Sequence, residues 1–149
     1  MTDVEKSLAQ VVSAAKRLNE KSDSITETIR RVENALRESN AGVEFQYQSA
    51  LARGDEMSSF LRYTKHEGKW CLMVRVYRDV PNEEEKALFQ DVDEARGWES
   101  VVEDEMPLLQ GSRTIRIKAL AQLPDFLDGY RRELESAVKT IEKAEEALK

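Results

Sequence analysis

A heptad stripe over the first 36 residues sets the strongest limit on what this chain can fold into. Apolar residues recur there at alternating steps of four and three residues, with one polar member. The stripe consists of Val4, Leu8, Val11, Ala15, Leu18, Ser22, Ile25, Ile29, Val32 and Leu36. A helix of this length reaches roughly 54 Å at about 1.5 Å per residue, more than a small domain needs. We therefore expect another long helix, from this chain or from a second copy, to bury the stripe.

Residues 1–40 are predicted to form this helix without interruption. Thr2 and Glu5 make a capping-box pattern at its start, and Asn40 favours the left-handed conformation that ends helices. A second capping-box pattern at 24–27 could restart the helix in the middle. The heptad phase passes through that point without a slip, so we expect one continuous helix.

Residues 43–78 are predicted to form a small antiparallel sheet of about three strands. Apolar and polar residues alternate over 43–51, which is typical of a half-buried strand. Two further runs, 58–65 and 69–78, read as a hairpin whose turn contains Gly68. Glycine suits that turn because it adopts a positive φ without steric cost.

Residues 79–105 form an acidic stretch that we interpret as a connection between the sheet and the C-terminal helices. Eleven acidic and two basic residues give it a net charge of −9, whereas the whole chain carries −6. Like charges repel and few apolar groups are present to offset the ordering entropy. We therefore expect 82–97 to be the least ordered part of the chain. The alternative is a docking strip for a basic partner.

Residues 107–149 are predicted to be helical and to pair with the first helix. A second heptad stripe of about 25 residues follows Pro124, where a kink or restart is expected. Residues 113–119 also fit a strand, but Pro107 is welcome in a first helical turn, so helix is favoured. We expect the two long helices to form an antiparallel pair that stands on the sheet or runs across it.

These elements predict one α+β domain over 1–149. The first heptad stripe is longer than the second by about 11 residues. These additional residues must overhang, pack on the sheet or meet a second copy. This mismatch predicts a homodimer, with Ser22 marking either the register of the seam or a place where the seam is loose. The residues expected to carry the association are Leu18, Ile25, Ile29, Val32 and Leu36.

The residue types that serve as catalytic and metal-binding groups are scarce. The chain has one histidine, His66, and one cysteine, Cys71, so a disulfide within the chain and the usual zinc sites are excluded by count. We expect no catalytic residue, no cofactor and no metal. No apolar run reaches the roughly 18 residues of a membrane helix, and the N-terminus does not resemble a signal peptide. The expected location is the cytoplasm, without a membrane association.

A group of basic residues is the one candidate for binding an anion. Arg113, Arg116 and Lys118 follow Gly111 at a predicted helix start, where they could contact a phosphate. The competing interpretation is a solvated basic face that pairs with the acidic stretch. The net charge of −6 argues against a bulk affinity for nucleic acid. A nucleic-acid-associated regulator is kept as an alternative, and it would bind with a steep salt dependence.

The sequence is therefore interpreted as a non-enzymatic protein–protein interaction module that self-associates through its heptad helices and has a further protein partner of unknown identity. The main alternative is a small-molecule-binding or enzymatic domain. Its pocket would lie between the sheet and the helices, near Tyr47, Trp70 and Tyr130.

Overall fold

A computed structural model describes residues 2–81 and 98–149, which form an α+β fold. In chain order its elements are helix α1 (Asp3–Ser39), strands β1 (Phe45–Gln46), β2 (Ala52–Arg53), β3 (Met57–His66), β4 (Lys69–Pro81) and β5 (Trp98–Pro107), a 3₁₀ turn (Leu108–Gln110) and helix α2 (Arg113–Ala147). The predicted class and the order of helix, sheet and helix are confirmed. The expectation of weak order over 82–97 concerns residues outside those described.

Helix α1 is continuous and begins and ends where its capping residues predict. The Thr2 hydroxyl accepts a hydrogen bond from the Glu5 N–H at 3.2 Å, and the Glu5 carboxylate accepts one from the Thr2 N–H at 3.0 Å. Asn40 adopts a left-handed φ of 50° and caps the C-terminus. The local signals and the heptad phase therefore agree along the whole helix.

The sheet has five strands, so the expectation of about three strands was wrong. The strands follow the order β1-β3-β4-β5, all antiparallel, and β2 also pairs with β3. The single strand expected over 43–51 is replaced by β1 and β2. Phe45 pairs with Tyr63 and Ala52 with Ser59, so the chain between the two strands is longer than the stretch of β3 it faces. The surplus residues bulge out and divide the strand.

The fifth strand comes from the acidic stretch, whose two ends are paired rather than free. Residues 79–81 belong to β4 and 98–105 to β5, so the connection expected over 79–105 is shorter than predicted. Arg75 faces Glu105 across the ladder, with a nitrogen–oxygen distance of 2.8 Å, and Arg78 lies 2.9 Å from Glu103. Because two arginines of β4 neutralise two of the carboxylates of β5, high charge does not prevent pairing here.

Helix α2 is also continuous, and the preference for helix over strand at 113–119 is confirmed. The Ser112 hydroxyl caps it by accepting from the Ile115 N–H at 3.2 Å. Pro124 lies inside the helix without ending it. A proline there removes one backbone hydrogen bond, but the buried residues Leu123 and Phe126 on either side anchor the helix to the core.

The two long helices run in the same direction, so the expected antiparallel pair was wrong. Arg113 near the start of α2 bonds to Asn19, and Arg116 bonds to Thr26 further along α1. Tyr130 then bonds to the Val43 carbonyl, which lies beyond the end of α1. Residues further along α1 therefore contact residues further along α2, as expected for parallel helices. The first part of α1 and the last part of α2 therefore extend from opposite ends of the shared body.

The core lies where the central part of each helix meets one face of the sheet. Its largest fully buried side chains are Ile29, Leu61, Leu72, Leu108 and Phe126. Aromatic rings extend this core towards β1, with ring centroids 5.1 Å apart for Phe45 and Phe126. Gly129 permits this contact, because a Cβ there would lie 2.9 Å from the Phe45 ring. A glycine on α2 therefore lets the helix approach β1 closely.

Candidate interaction surfaces

The first half of α1 is exposed along its whole length. Every residue from 2 to 21 is exposed, although this half carries part of the heptad stripe. Val4, Leu8 and Val11 keep 77%, 60% and 63% of their surface in contact with solvent. Soluble monomers seldom leave a contiguous apolar stripe uncovered. We call residues 3–21 the free half of α1.

The last part of α2 is exposed in a similar way at the opposite end of the body. Leu134 is its last side chain that packs against the core, and residues 138–149 are all exposed. Its apolar residues include Ile141, which is 57% exposed, and Val138 and Leu148. The apolar faces of these two helix ends therefore lack a partner within the described chain.

The predicted seam residues divide into two groups. Ile29 is fully buried, and three others, Ile25, Val32 and Leu36, are half-buried against the core. Leu18 is 46% exposed and belongs to the free half. Ser22 is the first buried residue along α1. The last four aliphatic residues of the stripe are therefore used to hold the monomer together.

Glu33 and Arg37 attach α1 to the edge of β4, a pair that sequence reasoning missed. The buried Glu33 carboxylate accepts from the Leu72 N–H at 3.0 Å and from the Arg37 guanidinium at 3.2 Å. Arg37 also donates to the Trp70 carbonyl at 3.0 Å. The β5 pairing ends where Pro107 meets Met73, so these backbone groups have no strand partner. Buried backbone groups need a partner, and α1 side chains supply it. The sequence signal for this contact was the position of Glu33, directly after Val32 of the heptad stripe.

The sheet face opposite the helices carries a charged cluster. Arg62 is buried, and its guanidinium lies 3.7 Å from Glu105, which also accepts from Arg75 at 2.8 Å. Tyr77 donates a hydrogen bond to the Gln46 side chain at 3.0 Å on the same face. Arg62 and Arg75 of this face therefore pair with a carboxylate of the sheet itself.

A cleft of about 500 Å³ opens between β1 and the side of α2. Its lining comprises Phe45, Gln46, Tyr47, Gln48, Asp125, Asp128, Gly129 and Arg132. Tyr47 lines the cleft as the sequence-based alternative expects. Trp70 and Tyr130 do not line it; each packs against Tyr63, with ring centroids 5.3 and 5.7 Å away.

The candidate anion-binding residues lie near α1. Arg113 donates to the Asn19 side chain at 2.8 Å, and Arg116 donates to the Thr26 hydroxyl. Lys118 is exposed. The two arginines help to hold α2 on α1, while the predicted anion contact stays a prediction.

Burial raises the pKa of three side chains in or beside the core. Desolvation raises the pKa of Tyr63 and of Tyr130, whose hydroxyl donates to the Val43 carbonyl at 2.8 Å. Desolvation likewise raises the pKa of the Cys71 thiol. A raised thiol pKa lowers the thiolate fraction and makes the group a poorer nucleophile. The hydrogen bond from Arg131 holds the pKa of Asp128 below its usual value.

Among residues 2–81 and 98–149, no cluster of three or more histidine, cysteine, aspartate or glutamate side chains is arranged to hold a metal ion. None of the helices in this described part is both long and apolar enough to span a membrane. Comparisons with protein-family models, with curated proteins and with solved structures give no match.

Proposed function

We propose that this chain is a non-enzymatic interaction module that forms a homodimer, in which the free half of α1 pairs with another copy as a short coiled coil. The observation that carries the proposal is the exposure of Val4, Leu8, Val11 and Leu18 on one face of this helix. We propose a cytoplasmic location, since the single cysteine can form no disulfide within the chain.

The length of the free half supports pairing between copies. Residues 3–21 extend about 28 Å as a helix, and they make no use of their apolar stripe within the described chain. Most helical stability in proteins comes from packing of an amphipathic face. A second helix against the stripe would supply that packing.

The residues that flank the stripe are compatible with two identical helices. With Leu8 at position a and Val11 at position d, the flanking e and g positions are mostly neutral. They are Glu5, Ser7, Val12, Ala14, Asn19 and Lys21. Few like charges would meet across a symmetric interface, so self-pairing carries little electrostatic penalty.

Sedimentation equilibrium at micromolar concentrations tests the proposal. We expect a mass about twice the 17.1 kDa of one chain, because burial of each aliphatic side chain at the interface contributes about 1.5–3 kcal/mol. A mass of one chain at every concentration up to the solubility limit would contradict it.

A further inference from the structure

The outer edge of β1 presents backbone N–H and C=O groups that pair with no strand of the described chain. The Tyr47 N–H donates to the Leu61 carbonyl at 3.0 Å, so it points towards β3. In an antiparallel ladder the backbone groups of successive residues point to opposite sides. The N–H and C=O of Gln46 therefore both point away from β3. Since β1 is the last strand on this side, they face the cleft.

A helix forms the other wall of this cleft. Asp125, Asp128, Gly129 and Arg132 follow one another at helical spacing along one side of α2. Gly129 brings this wall close to the ring of Phe45. A strand edge on one side and a helix on the other is the geometry in which proteins add an extended peptide to a sheet. The volume of about 500 Å³ is enough for several side chains of such a peptide.

The charge of the helical wall favours a basic partner. Asp128 contacts two arginines, Arg131 at 2.8 Å and Arg132 at 3.0 Å. Asp125 is exposed and makes no ion pair with any residue of the described chain. Among the described residues of the lining the unmatched charge is therefore negative, and a lysine or arginine would complement it.

We propose that the groove between β1 and α2 binds an extended segment of another protein, which pairs with the backbone of Gln46 and places a lysine or arginine beside Asp125. The inference deepens the proposed interaction function by naming a class of partner. It rests on residues other than those of the dimer contact.

Two synthetic peptides test it, titrated into the isotope-labelled full chain and followed by amide NMR. Both alternate threonine and valine over seven residues, because β-branched residues are enriched in strands. One carries lysine at the centre and the other glutamate. We expect the lysine peptide to shift the Gln46 amide signal and to bind at least tenfold more tightly. Absence of shifts at millimolar peptide, or equal affinity for both peptides, would overturn the proposal.

Two variants locate the contact. Gln46→Pro removes the outward N–H and is expected to lose binding, whereas Gln46→Ala removes only the side chain and is expected to keep it. Proline is tolerated on strand edges whose N–H faces outward. Asp125→Lys, at an exposed position, is expected to invert the preference between the peptides without affecting the fold.

The outcomes separate this inference from the dimer proposal. Binding that persists unchanged in Gln46→Pro, or a preference for lysine that persists in Asp125→Lys, would overturn the groove whether the chain is a monomer or a dimer. A shift of the Gln46 signal with protein concentration alone would also overturn it, because a second copy would then occupy the edge.

Discussion

Replacement of Ile29 by aspartate is expected to unfold the protein. Ile29 has no exposed surface and lies in the core between α1, the sheet and α2. A buried carboxylate without a partner, together with the lost apolar contacts, is expected to cost about 5 kcal/mol or more. This is comparable with the whole stability of a domain, about 5–15 kcal/mol. Far-ultraviolet circular dichroism should show the loss of helix at 25 °C.

The conservative change at the same position is the matched control. Ile29→Val removes one methyl group and is expected to cost about 0.5–1.5 kcal/mol, which leaves a folded protein with a lower urea midpoint. If Ile29→Asp instead gives a folded monomer, Ile29 lies in a contact between copies and its placement in the core is wrong.

The same kind of substitution in the free half of α1 is expected to have the opposite result. Leu8→Glu combined with Leu18→Glu should leave a folded protein, since exposed positions tolerate such changes within about 0.5 kcal/mol each. The dimer would lose four buried leucines, about 6 kcal/mol in all, which is roughly a 10⁴-fold rise in the dissociation constant. Sedimentation should give a monomer whose circular dichroism reports a folded core.

A charge-matched control lies on the other face of the same helix. Gln10→Glu combined with Ser13→Glu adds the same charge at positions that point away from the stripe. This control is expected to remain dimeric. If both double variants dissociate equally, net charge rather than the stripe decides the association. If neither does, the dimer forms elsewhere.

Local signals predicted much of the fold. The capping box at Thr2, the left-handed cap at Asn40 and the hairpin around Gly68 depend on neighbouring residues only, and all three are present. The number of strands was missed because the first predicted strand is divided into β1 and β2, and because β5 depends on contacts with a distant strand. Two of its glutamates, Glu105 and Glu103, form ion pairs with Arg75 and Arg78 of β4.

The division of the heptad stripe could not be predicted in the same way. Periodicity shows that Leu8 and Ile29 lie on one face of α1, but it does not show what covers each. Which residues of the stripe are buried depends on where the 3₁₀ turn and α2 pack against α1, and on the direction in which α2 runs. The Glu33 contact with Leu72 was hidden for the same reason, since it depends on where β5 ends.

The distance between two copies at the free half of α1 tests the central claim most directly. Spin labels at Gln10→Cys, in a Cys71→Ser background, report that distance by pulsed electron resonance. Paired helices lie about 8–10 Å apart and are each about 10–12 Å across, so we expect labels within about 30 Å of one another. Position 10 is near the middle of the free half of α1, so either direction of pairing gives a short distance. Absence of dipolar coupling between copies, or only longer distances, would contradict the account.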